Sequence, residues 1–381
     1  DAPDEHVRYL MLTRAAFECC QRMGFAPQVV HANDWHTAFA PLLLRTAYAW
    51  DRERFAGTKS VFTIHNIGYQ GVFSAGQAGD LAPGVGIEAL HQGDLAAGRV
   101  NPMRHGVLYA DAVTTVSPTY ADEIRTPEGG HGLDGDLRGR GAAVTGILNG
   151  VDYDEWNPAT DRYIPFRYDA ADLSGKARNK AALLDLLRIE AAATTPLIGM
   201  VTRLTHQKGI DLLFDTLPEL LAGEDVRLVA LGSGEPHYER FMHGLQELFP
   251  GRVAFYSGYS EELAHFIEAA ADIFLMPSMY EPCGLNQMYS LKYGTVPVVR
   301  RTGGLADSVR HFDPATGEGT GVVFNDYDAG GVRWGLATAL DWFADPTAWR
   351  RLVLNGMRED FSWDRQVTEY ESLYELLVNS E

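Results

Sequence analysis

The segment Ser278-Met279-Tyr280-Glu281-Pro282-Cys283-Gly284-Leu285 sets a carboxylate and a thiol where a strand hands over to a helix. Asp272 to Pro277 reads as a short buried strand, and the apolar spacing from Leu285 to Tyr293 predicts a helix. A helix beginning near Gly284 offers backbone N–H groups and a positive dipole end, which suits a phosphate group. Glu281 cannot help to bind phosphate, but it can accept hydrogen bonds from sugar hydroxyls; an acid at a helix start is equally an ordinary capping residue. Arg203 and Lys208 follow another strand and precede a helix expected from Ile210, so both can lean over an anion. The Arg acts as a fork of donors and the Lys as a mobile point charge. A basic pair on a solvated turn has the same composition. His36, after Asp34-Trp35 at a loop-to-helix transition, can hydrogen-bond a sugar hydroxyl or stabilise developing charge, and a purely structural histidine fits the same position.

Two Gly-rich turns follow strands. Gly232-Ser233-Gly234 is short and says little by itself, whereas Thr302-Gly303-Gly304-Leu305 opens a helix and is the better phosphate loop. No closely spaced His/Cys set or paired Asp motif stands out, so no metal and no cofactor is expected. Charge neutralisation then falls to Arg203, Lys208 and helix ends. No Ser-His-Asp arrangement is visible, and Cys283 reads as a packing and hydrogen-bonding residue rather than a nucleophile.

A net charge of −19 argues against nucleic acid or an anionic membrane surface as the partner, since both need clustered positive charge. Three cysteines, two of them adjacent at Cys19 and Cys20, give no disulfide framework and fit a reducing compartment. No apolar run approaches the ~20 residues that cross a bilayer, and no signal sequence is visible. The cytoplasm is expected; a plastid protein without its transit peptide would look identical.

The elements that must carry these residues form an α/β pattern. Helical spacing over residues 6 to 23, through Val7, Leu10, Met11, Arg14, Ala15 and Phe17, is followed by strand-like runs at 27–31, 60–64, 112–116 and, more weakly, 142–148. A helix is expected from Ala38 to Ala49, and the Gly-rich, charged stretch Thr126 to Gly141 reads as a loop or lid. Polar residues 152 to 180, with Pro158 and Pro165, look like a connection, with a boundary near Arg167. Strands then recur at 196–201, 226–231, 252–256, 272–277 and 295–299. Two doubly wound sheets follow from this alternation, with ligand-binding loops at the carboxyl ends of their strands.

The 278–289 segment resembles one found in the glycogen and bacterial or plant starch synthases, which belong to glycosyltransferase family 5. Six further blocks match in family order: His31 to Thr37, Thr63 to Gly71, Thr115 to Tyr120, Asn149 to Asp152, Arg203 to Gly209 and Arg301 to Asp307. The resemblance implies the GT-B architecture, two Rossmann-like domains facing a cleft. Residues 1–166 would form the acceptor-side domain, 167–360 the nucleotide-sugar domain, and 361–381 a helix crossing back. It implies a retaining glucosyltransferase moving glucose from ADP-glucose, or less readily UDP-glucose, to the non-reducing end of an α-1,4-glucan.

In those enzymes the residues matching Arg203 and Lys208 contact the diphosphate, and those matching Glu281, His36 and Asn149 reach the transferred sugar. Cys283, Gly284 and Leu285 lie alongside, Gly258 and Tyr259 border the base, and Thr302, Gly303 and Gly304 form the neighbouring loop. Many retaining relatives carry a second Glu eight positions after the first. Tyr289 stands there, as in the glycogen and starch synthase branch. The family's Lys-x-Gly-Gly-Leu loop is not found in these residues, so the first domain is expected to be incomplete at its N-terminus. That leaves an alternative, a non-catalytic remnant or glucan-binding scaffold. A nucleotide-sugar epimerase, which can share the architecture, is disfavoured by the 31–37 and 281–289 blocks.

Overall fold

The buried apolar runs all become parallel strands in the computed structural model, which describes residues 4–140 and 144–380. The chain divides into two compact units: one takes the chain through Leu148 and again from Gln366, the other runs from Asn149 to Arg365.

In the first unit, β1 (Val29–Asn33), β2 (Lys59–Ile64), β5 (Ala112–Thr115) and β6 (Val144–Gly146) form one sheet in the order β1-β2-β5-β6. The register is parallel throughout, with Val29 opposite Lys59, Val61 opposite Ala112 and Val113 opposite Val144. Because such a sheet is covered on both faces, Val61, Phe62, Ile64 and Val113 lose all exposure. A two-stranded ribbon of β3 (Phe73–Ser74) and β4 (Arg99–Val100) sits in the connection between β2 and β5.

The helix Glu5–Met23 buries His6, Leu10, Thr13 and Phe17, spaced four, three and four residues apart. The expected face was partly wrong: Met11 is exposed, while the Thr13 hydroxyl donates to the Tyr9 carbonyl at 2.8 Å and so sits inward. The helix expected over 38–49 is confined to Ala40–Arg45 and is preceded by a single turn, Asp34–Thr37. The stretch read as a loop from Thr126 contains a short helix, Asp134–Gly139. Leu133 and Leu137 anchor it in the core, and Arg104 holds it through Asp136 at 2.8 Å and the Gly132 carbonyl at 2.8 Å. These contacts fasten it to its own unit. A lid needs fewer.

The second unit holds β7 (Leu197–Val201), β8 (Arg227–Gly232), β9 (Val253–Ser257), β10 (Ile273–Met276), β11 (Val296–Arg300) and β12 (Val322–Phe324), all parallel, in the order β12-β11-β10-β7-β8-β9. Counted within the unit this is the 3-2-1-4-5-6 order of dinucleotide-binding folds, and the order reverses between β7 and β10. β12 has no counterpart among the sequence expectations, because three apolar residues between Gly321 and Asn325 are too short a run to stand out. Residues 152–166, expected to be part of a connection, belong to this unit; Ile164 and Tyr168 pack in a buried cluster with Ala269 and Tyr293.

Behind the sheet, Glu268 is buried; its Oε2 accepts from Ser290 Oγ at 2.7 Å and its Oε1 has no hydrogen-bond partner. Burial pushes its carboxyl up to about 8, against the Ser290 hydrogen bond and the charge of Lys176, which act in the other direction. A raised folded-state value means that its stabilising contribution is full below the ordinary 4.5 and is lost as pH rises through about 8. Glu268→Gln has nothing to deprotonate. Its melting temperature is expected to match the parent's near pH 5 and to exceed it by about 4 °C at pH 8, read by calorimetry across that range.

Candidate active site

Every candidate residue of the second unit except Asn149 lies just beyond the carboxyl end of a strand. Arg203 and Lys208 follow β7, Gly258 and Tyr259 follow β9, Glu281 to Leu285 follow β10, and Thr302 to Gly304 follow β11. The β7 and β10 loops flank the point where the strand order reverses, which is where doubly wound sheets open a crevice for ligand.

The two loops are stitched together. Met279 N–H donates to the Gln207 carbonyl at 2.9 Å, and the Gln207 side chain returns to the Tyr280 carbonyl at 3.3 Å. Gly209 has φ +69°, and a Cβ there would lie 2.1 Å from the Pro277 carbonyl oxygen. Only glycine lets the β7 loop come this close. The consequence is that Lys208 Nζ reaches Glu281 Oε2 at 2.5 Å, with Ser278 Oγ donating to the same oxygen at 3.0 Å. Both side chains are largely buried. Arg203 stands next to them with its guanidinium 3.5 Å from Gln207 Oε1.

The helix after Glu281 spans Asn286–Tyr293 and has no side-chain cap. The Met288 and Tyr289 N–H groups are spent on the Leu285 carbonyl at 2.9 and 3.0 Å, so it is Asn286 and Gln287 that present their N–H groups at the positive end of the dipole. Asn286 ties this helix start to β7 through the Val201 carbonyl at 2.5 Å. Cys283 is buried, and burial pushes its thiol up to about 12 despite a hydrogen bond from the Asn149 backbone. A thiol raised this way stays protonated at neutral pH and is available for packing and hydrogen bonding. That hydrogen bond also brings Asn149 to the site.

Gly303 and Gly304 serve close approach more than anion binding. A Cβ on either would lie 2.0 Å from the Glu281 carbonyl oxygen or 2.1 Å from that of Cys283, and the Gly304 N–H is spent on the Glu281 and Pro282 carbonyls. The reading of this turn as an open phosphate loop is therefore corrected for Gly304. Thr302 holds the N-cap position of the helix that this turn starts, Gly303–Ser308, without a side-chain capping bond. Tyr259 is highly exposed, with its hydroxyl on the Glu261 carboxylate. His36 lies in the first unit, on the Asp34–Thr37 turn, stacked on Trp35 at 4.2 Å and against Tyr9 edge-on at 4.5 Å. Asp34 holds that turn by accepting from the His65 N–H at 2.8 Å, and Gly71 leaves the room that the Trp35 ring fills. Two of the sequence blocks thus meet in one turn.

Sequence reasoning passed over Ser278, Gln207 and Asn286, although all three lie inside or beside the quoted blocks. Their polar side chains bond to neighbouring carboxylates and carbonyls, and only the fold reveals those partners.

The chain matches the starch synthase catalytic domain family over residues 1–139 and glycosyl transferases group 1 over residues 188–342. Glycogen synthase of Anaeromyxobacter is 48% identical over 99% of this chain and 79% of the relative. The chain belongs to the glycogen and starch synthase family. Glycogen synthase of Myxococcus xanthus is 45% identical over 98% of the chain and 77% of its own length. Among solved structures, the catalytic domain of starch synthase IV from Arabidopsis thaliana, bound to ADP and acarbose, superposes with a TM-score of 0.93 at 38% identity, over the whole chain and 79% of that structure. Sucrose-phosphate synthase from Thermosynechococcus elongatus, 20% identical with a TM-score of 0.60, shares the fold. As a glycogen and starch synthase family member the protein is a GT-B enzyme and a glucosyltransferase. The remnant alternative finds no support. Among the described residues, no helix is long and apolar enough to cross a membrane.

Proposed function

We propose that this glucosyltransferase takes glucose from ADP-glucose, adds it to the non-reducing end of an α-1,4-glucan with retention at the anomeric carbon, and works in the cytoplasm. The observation that carries the reading is the Lys208–Glu281 pair at the strand-order reversal, beside an uncapped helix start. Arg203 and Lys208 take the diphosphate, and the dipole of the Asn286–Tyr293 helix adds to them. Glu281 accepts from hydroxyls of the transferred glucose. The bond from C1 to the diphosphate oxygen breaks, the acceptor hydroxyl closes on C1 from the same face, and its proton passes to the departing phosphate.

Gly258 and Tyr259 are assigned to the base, where an exposed aromatic face suits stacking. Asn149, Cys283, Gly284 and Leu285 line the sugar side, and Thr302, Gly303 and Gly304 shape the adjoining turn. The assignment of His36 to the sugar rests on the resemblance of the 31–37 block. ADP as the nucleotide is supported by the solved plant relative, which was bound to it.

Purified protein given labelled ADP-glucose or UDP-glucose with glycogen tests the donor. A value of kcat/KM at least about tenfold higher for ADP-glucose, a gap of about 1.4 kcal/mol, is expected. Equal use of both, or preference for UDP-glucose, would overturn the donor assignment. An α-configured product linkage by NMR tests retention.

A further inference from the structure

The helix Glu261–Ala270 carries Glu261 and His265 four residues apart, on one helical face. Glu155 comes to them from the segment after Asn149, and one ligand atom from each of the three lies within 4.8 Å of the others. No metal was expected from residue spacing, because Glu155 is remote from the other two along the chain.

What separates it from an ordinary acidic patch is His265. The imidazole has no solvent exposure, and its Nδ1–H donates to Asp161 Oδ2 at 2.9 Å, itself fully buried. That hydrogen bond fixes the tautomer and leaves the lone pair on Nε2, which is buried and has no hydrogen-bond partner. A carboxylate holding one ring nitrogen while the other keeps a free lone pair, with two further carboxylates close by, is how metal-binding histidines are held. Tyr293 adds a second hydrogen bond to the same Asp161 oxygen, at 2.6 Å, so the orienting carboxylate is itself held.

We propose that Glu155, Glu261 and His265 bind one divalent transition-metal ion of the zinc class. Imidazole selects against magnesium and calcium, which take oxygen ligands only. Zinc holds its ligands at about 2.0–2.2 Å, which sets tetrahedral ligand atoms about 3.4 Å apart, so atoms up to 4.8 Å apart must close by more than about 1 Å. Glu155 is exposed and has the rotamer freedom to do so. Glu261 keeps one oxygen on the Tyr259 hydroxyl and has another to offer. Arg162 is the cation that already offsets Glu155 and Glu261, but its guanidinium donates to the Tyr163 hydroxyl at 2.8 Å and to neither carboxylate. A cavity of about 270 Å³, lined by Asp152, Asp154, Glu155 and Asp161 and also by Arg162, opens beside the group and gives a cation an approach in which the carboxylates outnumber the one guanidinium.

The ion would not touch the transferred sugar or diphosphate. It would pin the 152–163 segment to the 261–270 helix, and Trp156 carries that restraint onward. The indole lies between His265, at 3.7 Å, and Tyr289 of the active-site helix, stacked at 3.8 Å and nearly parallel. Metal binding is thus expected to stabilise the support of that helix.

The test is calorimetric titration of the chelator-treated chain with zinc chloride, in a Cys19→Ser/Cys20→Ser background so that the adjacent thiols cannot compete. One equivalent is expected to bind and to raise the melting temperature. Glu155→Gln and Glu261→Gln, both at solvent-accessible positions, should each weaken binding at least about tenfold and remove the thermal gain. Failure of the parent to take up one equivalent, or uptake unchanged in both variants, would show that no such site exists and that any zinc sits on surface histidines.

Discussion

Lys208→Ala is expected to lower kcat for glucosyl transfer by about 10²–10³, the effect of removing one preorganised charge from a developing anion. The donor KM should change less, because Arg203 and the helix start continue to hold the ground-state diphosphate. Lys208 Nζ has three donors and spends one on Glu281, so two remain for phosphate oxygens. The pair cuts both ways. Without Lys208 the carboxylate of Glu281, 5% exposed, keeps only the Ser278 hydroxyl, and a buried charge left so poorly compensated costs about 3–5 kcal/mol of stability.

A drop in activity by itself would therefore not separate chemistry from folding. Kinetics of Lys208→Ala read well below its own melting temperature separate the two, since kcat should stay low where the chain is fully folded. Turnover that survives Lys208→Ala within a factor of about three would refute the leaving-group assignment.

Most of the strands were legible for one reason. A parallel strand buried on both faces is an apolar run, and the runs ending at Ile64, Val201, Leu231 and Met276 could hardly be anything else. Helix faces were harder to read. In Glu5–Met23 the burial of His6 and Thr13 and the exposure of Met11 were decided by neighbours and by a side-chain-to-backbone hydrogen bond, neither of which hydropathy encodes. The residues proposed for the diphosphate, Arg203 and Lys208, could be picked out by type alone, since a fork of donors and a mobile charge after a strand carry their own logic. What positions them could not. Gly209 looked like a helix start, and its decisive property is contact with the Pro277 carbonyl across a strand-order reversal that no single segment announces.

The stretch from Asp152 was misread most deeply, because its polar residues suggested solvent. Trp156 and Asp161 are instead the keystones of a buried stack. Asp161 carries the second large prediction. It is 2% exposed and accepts three hydrogen bonds, from His265 Nδ1 at 2.9 Å, from the Tyr293 hydroxyl at 2.6 Å and from the Tyr163 N–H at 2.7 Å. Burial alone would push its carboxyl up, but the His265 and Tyr293 hydrogen bonds outweigh that and hold it below the ordinary carboxylate value.

Asp161→Ala leaves two buried side-chain donors and a backbone N–H without their acceptor, each worth about 1–3 kcal/mol, for a total near 3–5 kcal/mol once the site relaxes. The melting temperature of the second unit should fall by about 10 °C. Asp161→Asn keeps one oxygen acceptor and should lose roughly half as much. The depressed value fixes the pH dependence: the contribution of Asp161 is present above the ordinary 3.8 and fades as pH falls below it, so parent and variant should converge in acid. Trp156 loses its fixed His265 neighbour in the same variant, and with it the parallel stack on Tyr289. Activity should therefore decline at temperatures below melting. A variant as stable as the parent would mean that water replaces the carboxylate at no cost, and that the stack supports itself.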